Sequence, residues 1–212
     1  MIKKNLSQTI LTGALTLLPM AAGLILWQKL PDEIAIHFDL NGNADGFASK
    51  GVVVFLIPLI FLAIHLYCIA VSEKKLRSND SGGKNLQLIF WIIPAISLLI
   101  CTITYLYAFK KDFEIALPFC LFLGFLIIAC GNYLPKLRRN KTIGIKIPTT
   151  LRSEENWNST HRFSGKLWVA GGLFAVFAAL FRAYAVFAVI MAVIVLAPVI
   201  YSAVFQKKHS KS

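Results

Sequence analysis

Six apolar runs, at residues 10–27, 51–71, 86–108, 115–134, 167–181 and 184–205, constrain this chain more than any other feature. About 20 helical residues cross a hydrocarbon core about 30 Å thick, and only a helix or a closed barrel satisfies its own backbone there. Five runs are long enough. The fifth is short unless its helix begins before Lys166 or continues through Arg182. A single helix through the last two runs would overshoot a bilayer, so the spacing predicts a tight turn at Arg182-Ala183. The expected fold is an all-α integral membrane protein, a six-transmembrane-helix bundle. The composition agrees, with 57% hydrophobic and 15% charged residues, against about 45–50% and about 25% in soluble domains. The N-terminal run has the look of a signal peptide, but it is long and Met20-Ala21-Ala22 is a poor cleavage site, so it reads as an uncleaved first span.

The net charge is +12, and its placement carries the information. Seventeen of the 22 lysines and arginines fall at the termini and in the second and fourth connections; the first, third and fifth connections hold five. The positive-inside rule then predicts that both termini are cytoplasmic. The basic charge thus serves orientation at a lipid bilayer, and no direct nucleic-acid partner is expected. Cys68, Cys101, Cys120 and Cys130 all lie in apolar runs without CxxC spacing, as small buried side chains do. No Asp, Glu, Lys or Arg sits deep in a span; His65 is the one ionisable group that does. A transporter or flippase usually lines its path with charge. That reading therefore rests on His65, Thr102, Thr104 and Tyr105 alone, and a hydrogen bond from His65 to a neighbouring helix is the simpler expectation. Gly171, Ala175 and Ala179 form a small-xxx-small ladder, suited to packing inside the bundle first and to a homodimer second.

The first connection, "KLPDEIAIHFDLNGNADGFASKG", predicts a small strand-turn outer loop over residues 28–50: "IAIHF" alternates and "DLNGNADG" is turn-forming. From Asp39 the oxygen spacing begins like a calcium loop, but Ala44 stands where glycine is needed and Lys50 where a bidentate glutamate is needed. No metal site is expected. Asp32, Glu33, Asp39 and Asp45 outnumber the lysines and make a landing surface for a cationic peptide.

The fourth connection has three parts. "PKLRRNK" is basic and suits anionic headgroups. "TIGIKIP" is extended, with Gly144 for a turn. "TTLRSEENWNSTHRFSGK" begins like a helix, with Ser153 as cap and Glu154 and Glu155 in the first turn. On that helix Trp157, His161, Ser164 and Trp168 share a face, and Glu154, Asn158 and Arg162 share another, where an ion pair can form. The expectation is an interfacial helix feeding the fifth span, anchored by Trp157 and Trp168. His161 near Glu154 or Glu155 resembles an acid–base pair, the basis for reading the chain as a membrane-surface enzyme. However, the sequence has no HExxH, GxSxG, P-loop or dinucleotide fingerprint. No catalytic residue and no cofactor is expected.

Both connections also carry a resemblance. "LPDEIAIHFDLNGNADGFASK" is similar to a short extracytoplasmic module found after a first membrane helix in bacterial proteins. "IGIKIPTTLRSEENWNSTHRFSGKLWVAGG" resembles the signature of the SdpI family, bacterial immunity proteins to the sporulation-delaying cannibalism toxin. The match falls on Gly144, Ile145, Pro148, Thr150, Leu151, Glu154 or Glu155, Trp157, His161, Arg162, Gly165 and Lys166. Lys146 stands where arginine is usual, and Thr149 where some members carry tryptophan. The resemblance implies a multi-pass protein of the bacterial cytoplasmic membrane that protects against a secreted, membrane-active peptide toxin. It further implies a receptor that sequesters a winged-helix transcriptional repressor at the membrane. Toxin binding would fall to Asp32, Glu33, Asp39 and Asp45. Partner docking would fall to Gly144, Lys146, Pro148, Thr150, Glu155, Trp157, His161 and Arg162, beside Arg138, Arg139 and Arg152. The expected organisation is a first hairpin at 1–71, a central hairpin at 72–134, and the signature loop (143–166) with the last two spans at 135–212.

Overall fold

A computed structural model describes residues 5–38, 44–76, 82–110, 113–141 and 143–209, with the side chains of 73–76 and 82–89 outside that description. Asp39 lies outside the described residues, as do Lys3, Lys4, Arg77, Lys111 and Lys211 of the charge count. The helices are α1 (Leu6–Ile25), α2 (Ile57–Leu76), α3 (Gly82–Phe109), α4 (Ala116–Tyr133), the short α5 (Pro148–Arg152), α6 (Glu154–Leu180) and α7 (Tyr184–His209). Two strands, β1 (Glu33–Phe38) and β2 (Ala44–Ser49), pair antiparallel. Among the described residues six helices are long and apolar enough to cross a membrane, the second beginning in a π-helical turn at Val52–Leu56. The expected helical fold class and the paired strands of the outer loop are both observed.

The chain forms two compact units: α1, the hairpin, α2 and α3 in the first, and α4 to α7 in the second. In the first, β1 and β2 close over the ends of α1 and α3. Leu30 and Ile34 join Val53, Val54, Cys101 and Tyr105 in a buried cluster, and Phe38 meets Tyr107 edge-on at 4.8 Å. A bulge at Ile36 lets Ile34 and Ala35 both turn inward while Ile36 and His37 face out. Deeper, His65 Nε2 lies 2.8 Å from Thr12 Oγ1. The Thr12 hydroxyl donates to the Gln8 carbonyl at 2.8 Å, so the ring donates to Thr12. Ser97 donates to the Thr16 carbonyl at 2.9 Å. His65 is thus bonded to a neighbouring helix, as expected. Of the residues suggested for a transport path, Thr102 is exposed while His65, Thr104 and Tyr105 are buried. The four cysteines are free thiols.

In the second unit the short fifth run is resolved by its start: α6 begins at Glu154, so the signature helix and the span are one 27-residue helix. Ser153 Oγ accepts from the Asn156 N–H at 3.2 Å and caps it, with Glu154 and Glu155 in the first turn as expected. The predicted tight turn follows. The Ala183 N–H reaches the Ala178 carbonyl at 2.8 Å and the Arg182 N–H reaches Ala179 at 2.9 Å, a Schellman closure with Arg182 at φ 56°. The ladder packs inside this unit: Ala175 and Ala179 are fully buried, and Gly171 lies against Ile194. A second glycine set brings α4 and α6 together, Gly131 against Gly165 and Gly124 against Gly172, with no room for a Cβ at any of the four.

Candidate functional site

The signature residues build one device at the head of α6. After a turn of 3₁₀ helix at Leu134–Lys136, Asn140 folds the basic segment back on itself. Its amide donates to the Arg138 carbonyl at 2.8 Å and its oxygen accepts from the Ile143 N–H at 2.8 Å. Arg139 reaches over to the carbonyls of Leu151 and Arg152 at 3.3 and 3.2 Å. Gly144 then crosses the aromatic face of α6 with φ +117°, a conformation that side chains rarely adopt. A Cβ there would stand 2.6 Å from His161 Nε2 and 2.9 Å from the Trp157 ring. Pro148 opens α5 in the first-turn position that a missing N–H suits. Thr150 ties the approach: its hydroxyl donates to the Ile145 carbonyl at 2.7 Å and accepts from the Ile147 N–H at 3.1 Å.

Trp157 is fully buried, 0% exposed, among Leu134, Leu137, Ile143, Ile145 and Leu151. Its indole N–H donates to the Leu137 carbonyl at 2.7 Å. His161, 1% exposed, stacks on it with centroids 4.0 Å apart. The hydrogen bonds assign its tautomer. Nδ1 lies 2.8 Å from the Trp157 carbonyl and so must donate, while Nε2 receives the Ile145 N–H at 3.0 Å and so must accept. The ring is therefore neutral, with both nitrogens engaged by backbone. Such a ring holds the loop; it has neither a free nitrogen nor a carboxylate partner with which to move a substrate proton.

A second network, which the sequence reading missed, joins α6 to α7. Asn156 donates to the Ser202 carbonyl at 3.0 Å and accepts from the hydroxyls of Thr160 and Ser202, both at 2.8 Å. Thr149 Oγ1 lies 2.6 Å from Ser202 Oγ and so joins α5 to α7 through two hydroxyls. Asn156 beside Trp157, and one serine in the apolar seventh helix, were the available signals.

The predicted docking residues fall into two groups. Gly144, Thr150, Trp157 and His161 form or line the interior of this cage, so the face shared by Trp157, His161 and Ser164 points inward. Lys146, Pro148, Glu155 and Arg162 are exposed, as are Arg138, Arg139 and Arg152. Trp168 is half-buried and donates to the Ile194 carbonyl at 3.0 Å. The ion pair read between Glu154 and Arg162 is not formed; Arg162 carries none among the described residues. On the hairpin, Asp32 is 96% exposed but bonded to Lys50 at 3.0 Å, and Lys50 also lies over the Trp27 ring. Asp45 pairs with His37 across the strands, and Glu33 is exposed. No group of three or more His, Cys, Asp or Glu side chains converges among the described residues.

Comparison with known proteins places both segments. Residues 136–202 match the SdpI/YfhL protein family, and residues 14–62 match a domain of unknown function (DUF1648) that covers the later part of α1, the hairpin and the start of α2. The chain is similar to the immunity protein SdpI of Bacillus subtilis (strain 168), with 27% identity over 203 residues, covering 94% of this chain and 92% of that protein. No solved structure matches.

Proposed function

We propose that this multi-pass bacterial cell-membrane protein, which matches the SdpI/YfhL protein family over residues 136–202, is a member of that family and protects its cell against a secreted, membrane-active peptide toxin. One observation carries this reading: the family signature closes into a caged loop around Trp157 and His161 and leaves an exposed rim for contact, Lys146, Pro148, Glu155 and Arg162 with Arg138, Arg139 and Arg152. That suits recognition and not chemistry. With both termini cytoplasmic, as the lysine and arginine distribution supports, the rim faces the cytoplasm and the β1–β2 hairpin faces outward. The test is deletion of the gene followed by exposure to supernatant from a toxin-producing strain. Survival is expected to fall and to be restored by the cloned gene; equal survival with, without and in excess of the protein overturns the reading.

The hairpin is then the toxin's first contact, through Asp32, Glu33, Asp39 and Asp45. Of these, Asp32 is already paired with Lys50 and Asp45 already bonded to His37, so Glu33 is the least engaged among the described ones. Glu33→Lys is expected to weaken protection severalfold at low ionic strength and much less in physiological salt, where a Debye length of about 8 Å screens exposed charge. A dose–survival curve at two salt concentrations reads it. The rim would recruit a cytoplasmic winged-helix repressor. Co-fractionation of such a repressor with membranes only when toxin is present, lost on Lys146→Glu with Arg152→Glu, is the expected result.

A further inference from the structure

We propose that the groove between α6 and α7 binds one anionic phospholipid, with its phosphate at Arg162 and Lys166 and an acyl chain along the apolar lane beyond them. At the head of the groove is a cavity of about 590 Å³ lined by Glu155, Ser159, Arg162, Lys166, Tyr201 and Phe205. Neither Arg162 nor Lys166 has an ion pair or hydrogen bond among the described residues. They stand one turn apart on one face, two exposed cations facing the groove. The one carboxylate there, Glu155, is turned to His209 at 3.8 Å. The polar floor is already set, with Ser159 Oγ 2.8 Å from the Tyr201 hydroxyl, and Phe163 stacked on Tyr201 at 4.4 Å.

A second, separate pocket follows the first along the same two helices. Ser159, Arg162, Lys166, Ala170, Phe174 and Phe177 follow one another at three- and four-residue steps, and Tyr201, Ile194, Ile190 and Val186 return along α7. This second stretch holds about 500 Å³ and is lined by apolar side chains, with Phe174 and Phe177 more than half exposed. From Lys166 to Phe177 the helix rises about 16 Å, close to the depth of one leaflet of a core about 30 Å thick. A groove with free cations at the headgroup level and an uncharged lane one leaflet long fits a molecule with a phosphate at one end and a hydrocarbon chain behind it. A second copy of this chain would bring the same two cations against themselves in a two-fold contact, so the charge favours lipid over a homodimer here.

The test compares the full-length protein with Arg162→Gln/Lys166→Gln, and with Ala170→Trp, which blocks the lane without touching the cations. Each is reconstituted in nanodiscs of phosphatidylcholine with a minor share of phosphatidylglycerol, extracted in mild detergent and weighed by native mass spectrometry. At about a fivefold advantage per basic residue, wild type is expected to retain one phosphatidylglycerol with a preference of tens of fold over phosphatidylcholine. The double variant is expected to lose the preference, and Ala170→Trp to lose the lipid altogether. Equal thermal midpoints of all three in lipid-free detergent establish that the variants are folded, and His161→Asn, on the inward face of α6, serves as a destabilised control. Inorganic phosphate alone giving wild type the same stabilisation as phosphatidylglycerol would assign the site to the free anion and overturn the lipid. So would a preference that survives in the double variant, or a dimer in wild type that Ala170→Trp abolishes.

Discussion

Trp157→Ala is expected to release the whole segment from Leu137 to Arg152 and to abolish protection. Trp157 is the largest fully buried side chain described, and truncating such a residue costs about 3–5 kcal/mol. The loss is concentrated, because the ring is the surface on which Leu134, Leu137, Ile143, Ile145 and Leu151 meet, and it carries the stacked His161. Two companion changes separate the causes. Trp157→Phe keeps most of the volume and removes the bond to the Leu137 carbonyl, a cost of about 1–3 kcal/mol for a stranded buried acceptor, with a smaller cavity than alanine leaves. Gly144→Ala leaves the ring intact but adds a Cβ 2.6 Å from His161 Nε2 on a backbone with φ +117°, so the loop cannot close over it. Limited trypsin digestion reads the result at Arg138, Arg139 and Lys141. Cleavage is expected to be slow in wild type, intermediate in Trp157→Phe, and fast in Trp157→Ala and Gly144→Ala. Slow cleavage in Gly144→Ala would mean that the loop does not need its glycine.

This cage also shows where sequence reasoning succeeds and where it stops. The spans were legible because a bilayer sets one length, and runs such as 51–71 and 184–205 have that length with no charge inside. The start of α6 was legible because Ser153, Glu154 and Glu155 obey end rules that act over four residues. The shared face of Trp157 and His161 was legible from spacing, but its direction was not. Tryptophan and histidine are amphipathic, and the same stripe serves a membrane interface or an interior until a partner is known. That partner is the loop through Ile145, 16 residues before His161, held there by a positive φ at Gly144. Asn156 and Ser202 lie 46 residues apart, and nothing in either neighbourhood announces the other. Local rules found the elements; only closure in space assigned the roles.

Gly165→Ala is expected to act oppositely to Gly51→Ala, although both exchange a helix-associated glycine for the better helix former. Alanine gains up to about 1 kcal/mol over glycine in a helix. At Gly51, in helical conformation ahead of the second span, an added Cβ meets nothing within 4 Å, and the exchange is expected to be neutral or to stabilise. At Gly165 the new Cβ would stand 2.5 Å from Pro135 Cγ and 2.9 Å from the Gly131 carbonyl oxygen. Neither neighbour is the end of a flexible side chain. One is a ring in the chain leaving α4 and the other is α4 backbone, so relief requires α4 and α6 to separate. That opens the reciprocal contact at Gly131, where a Cβ would already lie 2.9 Å from the Val169 nitrogen, and loosens Gly124 against Gly172 one heptad away. Within lipid, where hydrocarbon competes equally for apolar surface, this close packing is what holds the two helices together. Overpacking costs about 1–3 kcal/mol, and shifts of about 2–4 °C per kcal/mol put Gly165→Ala several degrees below wild type in a detergent thermal-aggregation scan. Gly131→Val is expected to fall further, because two more methyl carbons enter the same backbone contact. A Gly165→Ala midpoint at or above that of wild type would show that propensity outweighs packing at this crossing and that α4 and α6 can part without loss.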